Sequence, residues 1–128
     1  MMERGLNLDG RESHYTWLLK RCLTGLIRLE QDEPEVDVVT RVHGRDWPAQ
    51  AESMAGLIRL DDLEWCLRDA ISRNVQGDFL EAGVWRGGAA ILAKAVFEEA
   101  REVDRLVWLA DSFQGLPSPD RKGFPDDL

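Results

Sequence analysis

The stretch Gly77-Asp78-Phe79-Leu80-Glu81-Ala82-Gly83-Val84-Trp85-Arg86-Gly87-Gly88 decides the fold class. An apolar run ends on an acid, passes through glycines and gives way to Ala89-Ala90-Ile91-Leu92-Ala93, a helical composition. That order reads as a buried strand, a tight turn and a helix N-terminus. A second apolar run, Leu106-Val107-Trp108-Leu109-Ala110, also ends on an acid, Asp111. Two strands joined by a helix, each closed by a carboxylate, predict a nucleoside-binding βαβ unit. Ligands of open α/β sheets sit just beyond such strand ends.

The rest of the chain is arranged around that unit. The connecting helix is predicted over Gly88 to Arg101, with Ile91, Leu92, Ala95 and Val96 facing inward. Upstream, Asp61 with Glu64 three residues later resembles a capping box, and Leu63, Cys66, Leu67, Ala70 and Ile71 form an apolar stripe behind it. A separate helix is expected from Ala49 to Leu60, with Pro48 at its first position. Residues 31–48 read as a loop containing a short extended piece, Val36 to Val42. Ser13 caps a further helix from His14 to about Glu30, weakened by Gly25. Residues 1–12 read as a fraying terminus, and the prolines after Asp111 as a loop running to Leu128.

Only two strands are convincing, whereas a parallel sheet normally has several and is covered on both faces. The expectation is an α/β, Rossmann-like fold truncated to N-terminal helices plus the first βαβ unit. Residues 1–76 would form a helical lid region and 77–128 the first part of the ligand-binding domain. The chain reads as a fragment.

Composition narrows the partners. Sixteen Lys and Arg face 24 Asp and Glu, for a formal charge of −8. Such a balance, spread along the chain, argues against nucleic acid and anionic membranes. No apolar run approaches the length of a membrane span, and Glu3, Asp9 and Glu12 interrupt the N-terminus, so the expectation is cytoplasmic. Cys22 and Cys66, among helical apolar positions, are expected to be buried free thiols.

The glycine turn can be tested against two phosphate loops. Gly83 and Gly88 have P-loop separation, but Ala89 and Ala90 stand where Lys and a hydroxyl are needed. Gly83 and Gly88 also match the outer glycines of G-x-G-x-x-G, but Trp85 replaces the middle one, where a side chain blocks approach of a pyrophosphate. A nucleoside without a pyrophosphate remains, and S-adenosylmethionine is the common one. Glu81 would face its cationic end. Asp111, 23 residues past Gly88, has the spacing of an acid that grips ribose hydroxyls.

At these residues a family resemblance becomes visible. Asp78 to Gly88 resembles the first motif of the macrocin O-methyltransferases, and Val107-Trp108-Leu109-Ala110-Asp111-Ser112-Phe113-Gln114-Gly115-Leu116-Pro117 resembles their second. Arg45 to Pro48 and Ser53 to Asp61 look like upstream family segments, so the resemblance spans roughly Leu18 to Pro119. Ala82 is a minor departure, since the family usually has Thr there. The resemblance implies an S-adenosylmethionine-dependent enzyme that methylates a hydroxyl on a small molecule such as a glycosylated natural product. It implies cofactor contacts from Glu81, Ala82, Gly83, Val84, Trp85, Asp111, Ser112, Phe113, Gln114 and Gly115, with Ser53 or Met54 reaching in from the preceding helix. The family is Mg2+-dependent, and its metal ligands and catalytic base belong to motifs expected beyond Leu128. The chain alone would then be inactive.

Blander roles are assigned elsewhere. Trp85 and Trp108 read as packing residues, and His14 and His43 as surface residues. Arg86 reads as either a solvated residue or an ion-pair partner. The N-terminal helices offer a surface for a homo-oligomer. Two other functions stay open on the residues: a non-catalytic remnant, and a dinucleotide-dependent oxidoreductase module.

Overall fold

A computed structural model describes residues 13–28 and 37–115. Helix α1 spans His14–Leu23, α2 Val38–His43 and α3 Gly56–Ser72; strand β1 is Phe79–Ala82, α4 is Gly88–Glu99 and β2 is Val107–Ala110. The expected βαβ unit is present. β1 and β2 pair in parallel, with Phe79 opposite Val107 and Ala82 opposite Ala110. Asp78 fixes the start of that register, accepting the Leu106 amide at 3.1 Å and the Trp108 indole N–H at 2.8 Å.

Helix α4 supplies much of the core because its inward face is continuously apolar. Leu92, Ala93, Val96 and Phe97 cluster with Leu23 of α1 and Leu60 and Leu67 of α3, while Phe79 and Val107 pack on from the sheet. Ile91, predicted inward, is instead exposed, and Phe97 takes the core position. The opposite sheet face is open, with Leu80 at 62% and Trp108 at 53% exposure.

Several sequence expectations are corrected upstream. Ser13 caps α1 as expected, but the helix stops at Leu23 rather than near Glu30. Gly25 takes a left-handed φ of +72°, and the Thr24 hydroxyl bonds back to the Lys20 carbonyl at 2.8 Å, closing the helix. Of the expected extended piece from Val36 to Val42, Val36 lies outside the described residues and Val38 to Val42 belong to the short helix α2. Asp37 determines it, because its carboxylate accepts the Val39 and Thr40 amides at 2.7 and 3.3 Å and nucleates a turn despite β-branched residues. The two helices expected from Ala49 to Leu60 and from Asp61 onward are a loop to Ala55 and one continuous helix, α3. Asp61 is no cap; its side chain crosses to Lys20 of α1 at 2.5 Å. Both cysteines are exposed rather than buried, because the buried stripe of α3 runs through Leu60, Glu64 and Leu67. The expected behaviour of residues 1–12 and of the tail after Gly115 lies outside the described residues.

A buried polar network ties the helices together. Glu64 of α3, with no exposed surface, accepts the Thr16 hydroxyl at 2.8 Å and pairs with Lys20 at 2.7 Å and Arg68 at 2.8 Å. Arg68 continues to Glu99 of α4 at 2.6 Å. Burial pushes the Glu64 carboxyl upward, but the bonds from Lys20, Thr16 and Arg68 outweigh it and hold the group below its ordinary value.

Residues 45–55 form a loop with a pinched neck. A Cβ on Gly44 would lie 2.6 Å from the Ala55 carbonyl oxygen, and one on Gly56 would lie 2.3 Å from the Gly44 nitrogen. Both glycines also have positive φ, +61° and +73°, so no other residue fits either position without strain.

Candidate functional site

The parallel register brings the two acid-terminated strands to one edge. One step past the last pair, the Gly83 amide donates to the Ala110 carbonyl at 2.9 Å. The chain then turns through Gly83, Trp85 and Gly87, at φ +80°, +51° and +81°. A left-handed tryptophan is unfavourable, and such conformations persist only where the surroundings enforce them.

Asp111 provides one enforcement. Its Oδ2 accepts the Val84 amide at 2.7 Å and its Oδ1 the Phe113 amide at 2.9 Å, so one carboxylate clasps the glycine turn to the loop after β2. Those bonds, with weaker ones from Ser112 and Trp85, hold its carboxyl below the ordinary value. Phe113 mirrors Trp85, at φ +53°, and is exposed. The Gln114 amide donates to the Ser112 hydroxyl at 3.3 Å, and Gly115 closes the loop at φ +76°.

Glu81 sits behind the turn. Its Oε2 accepts the Ala90 amide at 3.1 Å, at the start of α4. Partial burial pushes its carboxyl above the ordinary value, the Ala90 bond offsets only part of that, and no charged neighbour contributes. Such a carboxylate gains from a cationic ligand.

The third side of the site is the 45–55 loop. Ser53 is buried, its hydroxyl accepting the Ala55 amide at 3.2 Å. Met54 beside it is half-buried. Both belong to this loop, not to a helix, because α3 begins only at Gly56. Ser53 lies directly against the start of α4: a Cβ on Gly88 would come within 2.6 Å of the Ser53 Cβ and 2.5 Å of the Glu52 carbonyl oxygen. The Gly88 amide donates to that carbonyl at 3.0 Å. The structure thus brings together Glu81 to Trp85, Asp111 to Gly115 and, at the helix N-terminus, Ser53.

Two contributors escaped the sequence reading. Arg86 is exposed, as one of its two expected roles required, and has no ion pair among the described residues, but its Nη1 also donates to the Ala49 and Ala51 carbonyls at 2.9 and 2.8 Å. Gly88 is required for contact with the 52–53 backbone. The Gly87-Gly88 doublet signalled a close approach, but not to which segment.

The arrangement suits a nucleoside bearing a cation. Gly83 and Gly115 face open space, where a Cβ would meet nothing within 4 Å, so the backbone is uncovered at both loops. A carboxylate stands at each strand end. It does not suit a metal: among the described residues no group of three or more His, Cys, Asp and Glu could hold an ion.

The profile of the macrocin-O-methyltransferase (TylF) family matches residues 9–128. The chain belongs to this family. It is 48% identical over 87 residues to demethyldecarbamoylnovobiocin O-methyltransferase of Streptomyces niveus, a match covering 68% of this chain and 33% of that protein. It is 45% identical over 122 residues to mycinamicin III 3''-O-methyltransferase of Micromonospora griseorubida, covering 88% of this chain and 47% of the relative. A 4'-O-methyltransferase of Streptomyces olivaceus acting on a rhamnosyl-tetracenomycin is 42% identical over 80% of this chain and 42% of its own length. Among solved structures, the O-methyltransferase NovP superposes with a TM-score of 0.75 at 42% identity, over 80% of this chain and 43% of that one. The fold is therefore the first part of that methyltransferase fold, and the chain spans less than half the length of these relatives. Family membership sets aside the dinucleotide-dependent oxidoreductase. No helix among the described residues is long and apolar enough to cross a membrane.

Proposed function

We propose that this chain is the cofactor-binding part of an S-adenosylmethionine-dependent O-methyltransferase acting on a hydroxyl of a small-molecule, glycosylated natural product. The observation that carries the reading is the Asp111 clasp, which joins both family motifs at the carboxyl edge of a parallel sheet. Family membership, the rhamnosyl-bearing substrate in one relative's name and the mycinamicin substrate in another's support it.

When bound, the cofactor supplies an activated methyl group on a sulfonium. The residues of this chain act by positioning, which is where much of the acceleration of such a transfer originates. Glu81 offers a desolvated carboxylate to the cationic end. Asp111 retains acceptor lone pairs for ribose hydroxyls while holding the Val84 and Phe113 amides. Ala82 to Trp85 and Ser112 to Gly115 present backbone to the nucleoside, and Ser53 and Met54 close the side formed by the helical region, residues 1–76. Residues 77–128 belong to the cofactor domain proper. The catalytic base, acceptor pocket and Mg2+ site are assigned to the part of the relatives' length that this chain does not span. The described residues do not fit the metal, since no group of three or more His, Cys, Asp and Glu among them could hold it. A cytoplasmic location and self-association through the N-terminal helices complete the proposal.

Calorimetric titration of the chain with S-adenosylhomocysteine tests the reading. A saturable heat that Asp111→Ala removes is the expected result. A folded chain, shown by far-UV circular dichroism, that gives no heat would overturn it, as would preferential binding of NADH.

A further inference from the structure

We propose that Arg86 is a positioning residue: it holds the glycine turn in its left-handed conformation by bridging that turn to the 49–51 backbone. The inference deepens the cofactor reading, because that turn is the proposed nucleoside cradle.

Three observations meet at this side chain. Its Nη1 reaches two carbonyls, Ala49 at 2.9 Å and Ala51 at 2.8 Å. Its guanidinium carbon lies 4.5 Å from the centroid of the Trp85 ring. Trp85 is the residue forced to φ +51°, and its ring also meets Trp47 edge-on, with centroids 6.4 Å apart and planes at 77°. The strained residue is therefore gripped from two directions. Asp111 fixes its backbone through Val84, and Arg86 fixes its ring.

The anchor for this grip is itself immobilised. The Glu52 and Ser53 amides both donate to the Leu23 carbonyl, at 2.9 and 2.8 Å, at the end of α1. Ala51 is completely buried. An arginine that bonds these carbonyls thus references the cradle to the helical body of the protein. Only a planar guanidinium bonds carbonyls at its edge while laying its face on an indole; a lysine keeps the charge without the flat face.

The mechanism is conformational, so its signature is a dependence on Trp85. Near-UV circular dichroism, with Trp85→Phe identifying the contribution of the Trp47–Trp85 pair, reads the turn without any ligand. Arg86→Ala is expected to remove most of that contribution. S-adenosylhomocysteine should then bind about tenfold more weakly, because only about a tenth of the molecules present a competent turn. In a Trp85→Gly background the backbone adopts positive φ unaided, so Arg86→Ala should there cost less than about twofold.

An unchanged pair signal in Arg86→Ala overturns the proposal, as does an equal affinity loss in both backgrounds. Should Arg86→Ala fail to fold, Arg86→Lys takes its place. A partial loss of the pair signal supports the proposal, and a wild-type signal refutes it. If the unsubstituted chain does not bind the ligand, the cofactor reading fails while the spectroscopic comparison still decides the role of Arg86.

Discussion

Glu64→Gln is the most demanding test of how the helical body is held together. The substitution keeps the shape and one acceptor for Thr16 but removes a charge that faces Lys20 at 2.7 Å and Arg68 at 2.8 Å in a site closed to solvent. Removing one member of a buried ion pair costs about 3–5 kcal/mol. The low end applies here, because Lys20 retains Asp61 at 2.5 Å and Arg68 retains Glu99 at 2.6 Å. About 3 kcal/mol, at roughly 4 °C per kcal/mol for a domain of this size, lowers Tm by about 12 °C. The pH dependence has a definite sign. The native Glu64 carboxyl lies below its ordinary value of 4.5. Its contribution is thus fully present above that value and is lost as pH falls through the lower native one. Urea melts of both proteins across that range should show the widest gap near neutrality and a narrowing gap in acid. A gap below about 1 kcal/mol at neutral pH, or one independent of pH, would refute the assignment of the network as the tie between α1, α3 and α4.

Other consequences are as direct. Gly88→Ala would normally favour a helix by up to about 1 kcal/mol, but its Cβ would lie 2.5 Å from the Glu52 carbonyl oxygen, so urea melts should show a loss of about 1–3 kcal/mol. Leu92→Ala, at a fully enclosed core position, should cost about 2–5 kcal/mol in the same assay, whereas Leu80→Thr on the open sheet face should stay within about 0.5 kcal/mol. Asp111 carries a carboxyl held below its ordinary value of 3.8. The near-UV spectrum of the turn should therefore hold steady down to that value and change only in stronger acid, and Asp111→Asn should abolish the transition.

The βαβ unit was legible because its signals are local and mutually consistent. A short apolar run, an acid, glycines and a second run at the proper interval admit few structures, and both strands form where the pattern places them. The helical half was less legible because its determinants are long-range. Asp61 looks like a cap until Lys20 of a distant helix is seen to claim it. Asp37 overrides the extended preference of Val38 and Val39 by bonding two amides, a local effect masked by the β-branched run. The candidate site divides the same way. Glu81 and Asp111 follow from strand ends, whereas the service of Arg86 to two carbonyls and the steric demand at Gly88 exist only once the 49–53 backbone has been folded against them. Ser53 and Met54 were expected on a helix, and the glycine crossing at 44 and 56 is what withdraws them into a loop.

That crossing has a consequence for engineering within the family. Where two backbone segments touch with no room for a single carbon, the residues between them can be cut out and replaced as one cassette without altering the distance between its ends. Residues 45–55 carry Trp47, Ser53 and Met54, so exchanging this loop between relatives of different regiochemistry, with both glycines retained, would carry one wall of the proposed cofactor site as a unit. Chimeras joined anywhere inside the loop would split that wall, whereas chimeras joined at the glycines would inherit it whole.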